Sequence, residues 1–224
     1  DFDIFSIEPI STGAPPAVAF PLKVSADARR LLDQNNMPFL MVGDTPWSLM
    51  SGITKAEAET YLEDRRQRGF NAIIVNIIEH SFNGPVNREG NAPFQKTGNT
   101  YDFSKPVEAY FAHVDHVLNL ARSKGMLVML TPAYLGYGGG GQGWWPEINS
   151  SVNTEAVMEN YGRFLGNRYR SYGNILWVMG GDWFASQTLA KTRAIVRGLQ
   201  ATDLSGRLFT AHNARNESGY VFYY

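Results

Sequence analysis

Ten residues constrain the fold of this chain more than any others: Asn174-Ile175-Leu176-Trp177-Val178-Met179-Gly180-Gly181-Asp182-Trp183. An unbroken apolar run of strand length reads as a strand covered on both faces, which points to a parallel sheet. The run stops abruptly at two glycines, a carboxylate and a tryptophan. A charged residue where such a strand emerges stands at the site-building end of an α/β barrel. The glycine pair lets the backbone turn sharply, and Trp183 offers a flat apolar wall beside the acid. That combination suits an aspartate acting on a sugar.

The same order of segments recurs along the chain: apolar strand, polar loop, amphipathic helix, glycine. Strands are expected at Phe39–Val42, Ala72–Ile78, Leu127–Leu130, Ile175–Met179 and Leu208–Ala211. The first helix opens at Thr54 with Glu57 three residues on, a capping box, and stops at Gly69. A second is expected from near Lys105, with Pro106 in its first turn, to just before Gly125. A third runs from about Asn153 to Tyr172, and a fourth over roughly Thr188–Gln200. Residues 1–21 are Pro-rich and read as an N-terminal arm, and Leu22–Val24 with Arg30–Leu32 read as short strands of a cap.

Strict β–α alternation implies a parallel sheet. The first strand is followed by Gly43-Asp44-Thr45-Pro46-Trp47 rather than Gly-x-Gly-x-x-Gly, which removes the main argument for a dinucleotide fold. Polar and aromatic residues at every strand exit favour a (β/α)8 TIM barrel. A barrel needs eight strands and five are legible. The expectation is therefore that residues 22–224 form the N-terminal part of a barrel domain, about its first five β/α units. The remainder of the barrel, as a separate segment, is then a possible partner.

Charge narrows the classes of function. With 20 basic against 21 acidic residues the net charge is −1, so nothing argues for binding nucleic acid or an anionic membrane. The chain has no cysteine, which excludes disulfides, thiolate chemistry and cysteine metal sites. No run reaches membrane-spanning length. A start at Asp1 fits either a mature N-terminus after export or an internal boundary, and a secreted or periplasmic location is the expectation.

The strand exits supply the candidate chemistry. They present Asp44 and Trp47; Glu79 and His80; Tyr134, then Gly138–Gly141 leading to Trp144 and Trp145; Asp182 and Trp183; and His212. Acids and amides bind hydroxyls, and rings stack on the C–H faces of sugars. Each residue also has a plainer reading. Asp182 could be a helix N-cap, Asp44 could cap the turn before Pro46, Glu79 could be a solvated loop acid, and Trp144 and Trp145 could be core plugs. The glycine run does not make a phosphate loop, because no Lys-Ser/Thr follows it and no helix is expected to open there. His113 and His116 lie on an outer helix, away from the chemistry, and no metal is expected.

The segments Phe20-Pro21-Leu22-Lys23-Val24-Ser25, Gly43-Asp44-Thr45-Pro46-Trp47, Arg68-Gly69-Phe70-Asn71 and Gly180-Gly181-Asp182, in this order and spacing, resemble the apiosidase-like glycoside hydrolases. The likeness extends from about Phe20 to about His212. The resemblance implies a (β/α)8 barrel with an acid/base aspartate after the fourth strand, which maps onto Asp182. The family's second catalytic carboxylate lies on a later strand, expected beyond Tyr224. Asp44, Trp47, Glu79, Tyr134, Trp144, Trp145, Trp183 and His212 would then shape the sugar subsites for an oligosaccharide or polysaccharide, with no cofactor. Burial beside Trp177 and Trp183 is expected to raise the Asp182 pKa. A non-catalytic carbohydrate-binding barrel, or a barrel acting on small phosphorylated metabolites, are the alternatives.

Overall fold

A computed structural model describes residues 17–137, 142–182, 188–203, 206–216 and 218–222. Five strands run parallel in one sheet: β3 (Gly43–Asp44), β4 (Ala72–Asn76), β7 (Leu127–Thr131), β8 (Ile175–Gly180) and β9 (Phe209–His212). They lie side by side in chain order, as successive β/α units of a barrel do. A short helix, α1 (Leu49–Gly52), and the long helices α2 (Lys55–Gln67), α3 (Glu108–Ser123), α5 (Glu155–Tyr169) and α6 (Leu189–Thr202) lie between them. Among the described residues no helix is long and apolar enough to cross a membrane.

Strand alternation divides the apolar residues into two layers. Ile73, Val75, Val128, Leu130, Ile175, Trp177 and Met179 pack toward the helices in the large core. Ala72, Leu127, Leu176 and Val178, with Ile74 and Met129, form a second cluster on the opposite face. Every residue of β8 is buried, as its unbroken apolar run implies. The antiparallel pair β1 (Lys23–Val24) and β2 (Leu31–Leu32) brings Leu22 and Leu31 onto that second cluster. This is the expected cap, and it covers the ends where the strands begin.

Several boundaries differ from the sequence expectation. The first barrel strand pairs with β4 at Gly43–Asp44 rather than over Phe39–Val42. The Asn71 side chain holds that earlier stretch instead, donating to the Leu40 carbonyl at 2.7 Å and accepting from the Val42 N–H at 2.8 Å. The second helix starts at Glu108, because Pro106 ends a strand paired with Phe94. That strand, β6 (Thr100–Pro106), forms an unanticipated antiparallel hairpin with β5 (Phe94–Thr97). The first long helix begins where the capping box placed it, with reciprocal Thr54 and Glu57 bonds. Most of the arm, residues 1–16, lies outside the described residues, as does the Gly138–Gly141 run.

Candidate functional site

The glycine pair after β8 explains how Asp182 reaches the strand exits. Gly180 has φ of +106°, and a Cβ there would collide with the His212 carbonyl and the Phe222 ring. At Gly181 a Cβ would lie 2.8 Å from the Leu135 N–H nitrogen and 3.0 Å from the Tyr134 ring. Only glycines let this turn lie between the neighbouring exits. The backbone then closes on both sides, with Leu135 N–H donating to Gly180 O and Gly181 N–H donating to His212 O.

Asp182 thereby meets two partners from adjacent strands. The Tyr134 hydroxyl donates to its Oδ2 at 2.7 Å, and His212 Nε2 lies 3.0 Å from its Oδ1. A carboxylate only accepts, so Nε2 carries the hydrogen when Asp182 is ionised. Burial, followed by the adjacent Asp182 carboxylate, pushes the Tyr134 pKa well above the ordinary tyrosine value. Tyr134 therefore stays a donor across the working pH range. Trp47 closes the group, its ring stacked 5.6 Å from His212 and tilted against Tyr134 at 5.9 Å. Phe82, which sequence reasoning passed over, stands 6.0 Å from Tyr134 and is 52% exposed.

The burial expected around Asp182 is corrected. Its side chain is 46% exposed, and Trp177 faces the helices, donating its indole N–H to Asp203. Residue alternation along β8 accounts for this: Trp177 belongs to the helix-facing layer. Trp183 lies outside the described residues.

Other expected subsite residues are also placed differently. Asp44 is paired with the helix-facing Ile73 and turns toward α2, where the Tyr61 hydroxyl donates at 2.7 Å and Arg65 pairs at 2.8 Å. Its carboxylate is thus held by the scaffold, with the Thr45 N–H as a further donor. Trp144 is fully buried, with its indole N–H donated to the Ile78 carbonyl and Phe94, Tyr101, Phe103 and His80 around its ring. It is the core plug of the plainer reading, covered by the hairpin. Trp145 is half-buried at the start of the short helix α4 (Trp145–Asn149), which opens where none was expected. His113, for which a structural or solvated role away from the chemistry is expected, is fully buried on α3.

Glu79 is no solvated acid either. It is 1% exposed, accepting from the Ser48 hydroxyl at 2.8 Å and the His80 N–H at 2.9 Å. Burial raises its pKa, opposed by those two donors and by the Asn76 amide, which lies close without closing a well-formed hydrogen bond. The fold thus favours the neutral form more than water does. Stability from this group is present below the unfolded glutamate value and is lost as pH rises through the folded one. Glu79→Gln should flatten that loss, so the variant's Tm gains a few degrees on wild type between pH 4 and pH 7. A constant Tm difference across that range would refute this assignment.

Among the described residues no group of three His, Asp or Glu side chains is placed to hold a metal ion. The exits combine a half-exposed carboxylate, a fixed phenol, an imidazole and exposed rings.

A model of the apiosidase-like catalytic domain matches residues 25–222. A solved glycoside hydrolase is similar at 28% identity over 88% of this chain and 41% of its own, with a TM-score of 0.70. A family 5 glycoside hydrolase from Bacteroides vulgatus ATCC 8482 is similar at 23% identity, over 90% of this chain and 41% of its own, TM-score 0.73. A family 5 mannosidase from Rhizomucor miehei shares 15% identity over 90% of this chain and 57% of its own, TM-score 0.62. The chain thus spans about two fifths of the length of the first two. No curated protein sequence matches it. Strand order and these neighbours identify the five-stranded sheet as part of a (β/α)8 TIM barrel.

Proposed function

Because the chain belongs to the apiosidase-like catalytic domain family, we propose that it acts in hydrolysis of glycosidic bonds, with Asp182 as the general acid/base. The observation that carries the proposal is the Tyr134–Asp182–His212 group at the strand exits, where an open carboxylate is oriented by two donors beside exposed rings. In the acid step Asp182 gives its proton to the leaving oxygen, and in the second step it takes one from water. Tyr134 fixes the carboxyl rotamer. His212 Nε2–H, facing Oδ1 at 3.0 Å, stabilises the ionised carboxylate between the two steps.

A glycosidase needs a second carboxyl group across the bond. Glu79 is buried and committed to Ser48 and His80, so we assign that role to a strand completing the barrel. Support for completion comes from the edge beside β3, where Leu40 is 81% exposed, Val42 42% and Met37 54%. Exposed apolar side chains beside an unpaired strand are a liability unless further strands cover them.

The substrate is an oligosaccharide or polysaccharide of plant or microbial origin, met outside the cell or in the periplasm. Incubating the whole protein with a panel of plant and microbial polysaccharides should release reducing sugar from at least one. Release from none, with binding retained, would favour a non-catalytic carbohydrate-binding barrel instead.

A further inference from the structure

A cavity of about 570 Å³ lies beside the site, lined in part by Trp47, Ser48, Gly52, Ile53, Phe82 and Asn83. That volume falls within the range of small-molecule sites. We propose that it is a subsite for an uncharged sugar residue, held between the Trp47 and Phe82 rings, and that it rejects uronic acids and phosphorylated sugars. The ligand class rests on the carbohydrate reading above; the choice of a neutral residue rests on the cavity.

The cavity and the Asp182 group share Trp47, which belongs to both. That ring stacks with His212, lies tilted against Tyr134, and also walls the cavity. Phe82 faces it from the β4 exit and is half exposed, though large apolar side chains are usually covered. Two rings flanking a hollow suit the C–H faces of a pyranose, which are apolar and weakly positive.

The polar groups of the lining are mostly committed elsewhere. Ser48 donates to Glu79, and the Tyr61 hydroxyl donates to Asp44. The Asn83 amide remains to read a hydroxyl. It rests against Gly52, where a Cβ would come within 2.8 Å of its Nδ2. The position is therefore defined by backbone, and Asn83 is held at the cavity wall.

Charge decides against an acidic sugar. Among the described residues no charged side chain lines the cavity. Arg65, 5.0 Å from the Tyr61 ring, is already paired with Asp44. The Glu79 carboxyl lies directly behind Ser48. A carboxylate or phosphate entering here would lose its water without gaining a cation.

The test is saturation-transfer NMR on the whole protein, using methyl glycosides of neutral hexoses, 6-deoxyhexoses and pentoses. The matching hexuronides and hexose 6-phosphates serve as charged counterparts. At least one neutral glycoside should receive saturation at its ring C–H protons. Phe82→Ala should weaken that binding about fivefold, and Asn83→Ala should weaken it for glycosides bearing the hydroxyl that the amide reads. Charged counterparts should bind at least tenfold more weakly. Equal binding of the charged set, no binding by any neutral member, or an unchanged signal in Phe82→Ala would overturn the proposal. Turnover of the polysaccharide panel by the wild-type protein separates the two readings. Neutral-glycoside binding by a wild-type protein that hydrolyses nothing keeps this subsite and removes the glycosidase. Hydrolysis without Phe82-dependent binding does the reverse.

Discussion

Asp182→Asn in the whole protein should lower turnover by about 10²–10⁴-fold, the usual contribution of a positioned general acid/base. The asparagine keeps the geometry: its carbonyl oxygen still accepts from the Tyr134 hydroxyl, and its amide still faces His212. The side chain is half exposed at a strand exit, so Tm should hardly move. The loss then reports proton transfer rather than folding. Tyr134→Phe provides the graded control. It deletes one donor to the carboxyl while leaving the Trp47 and Phe82 ring contacts, and about a tenfold loss fits a single hydrogen bond to a charged group. Kinetics on the responsive polysaccharide, with Tm measured in parallel, check both. If Asp182→Asn keeps more than a tenth of wild-type turnover, the proton is transferred elsewhere.

Much of the scaffold was legible because apolar periodicity and helix caps act locally. The β8 run, the Thr54 capping box and the β–α alternation each carry their own physical cause within a few residues. The hairpin of β5 and β6 had a signal too, since Gly98-Asn99 is a two-residue turn between alternating segments. It was obscured by the polar, Asn-rich stretch before it. Pro106 reads equally well as a first helical residue or as the end of an edge strand, and only the partner Phe94 decides.

The site was legible as a set of exits and not as a set of orientations. Asp182, His212, Tyr134 and Trp47 came together because strand ends meet at one face of a parallel sheet. Asp44 and Trp144 did not, since a side chain's direction depends on register and on what arrives from distant segments. Asp44 shares its register with Ile73 and so faces α2. Trp144 is covered by Phe94 and Phe103, which lie some forty to fifty positions earlier. Phe82 gave no periodic signal, and it emerged only through its exposure and its place beside Tyr134.

The largest stability effect should come from a residue far from the chemistry. Arg207→Met should destabilise the fold by about 3–5 kcal/mol, the cost of stranding one member of a buried ion pair. Both side chains of the Arg207–Asp203 pair are 0% exposed, with Nε 2.6 Å from Oδ2. Arg207 also donates to the Tyr169 and Tyr172 carbonyls at the end of α5, and its guanidinium stacks 5.5 Å from the Trp177 ring. Trp177 in turn donates to the same Asp203 oxygen. The group thus ties the end of α5 to the middle of β8 and to the approach of β9. Methionine replaces the stem's volume but none of the donors, leaving the carboxylate and two carbonyls with fewer partners. For a domain of this size each kcal/mol moves Tm by about 2–4 °C, so a fall of roughly 6–20 °C is expected by calorimetry. Arg207→Met combined with Asp203→Leu should recover part of it, because removing both charges also removes the stranded one. A double variant no more stable than Arg207→Met alone would show that the carbonyl bonds, rather than the charge pair, hold this junction.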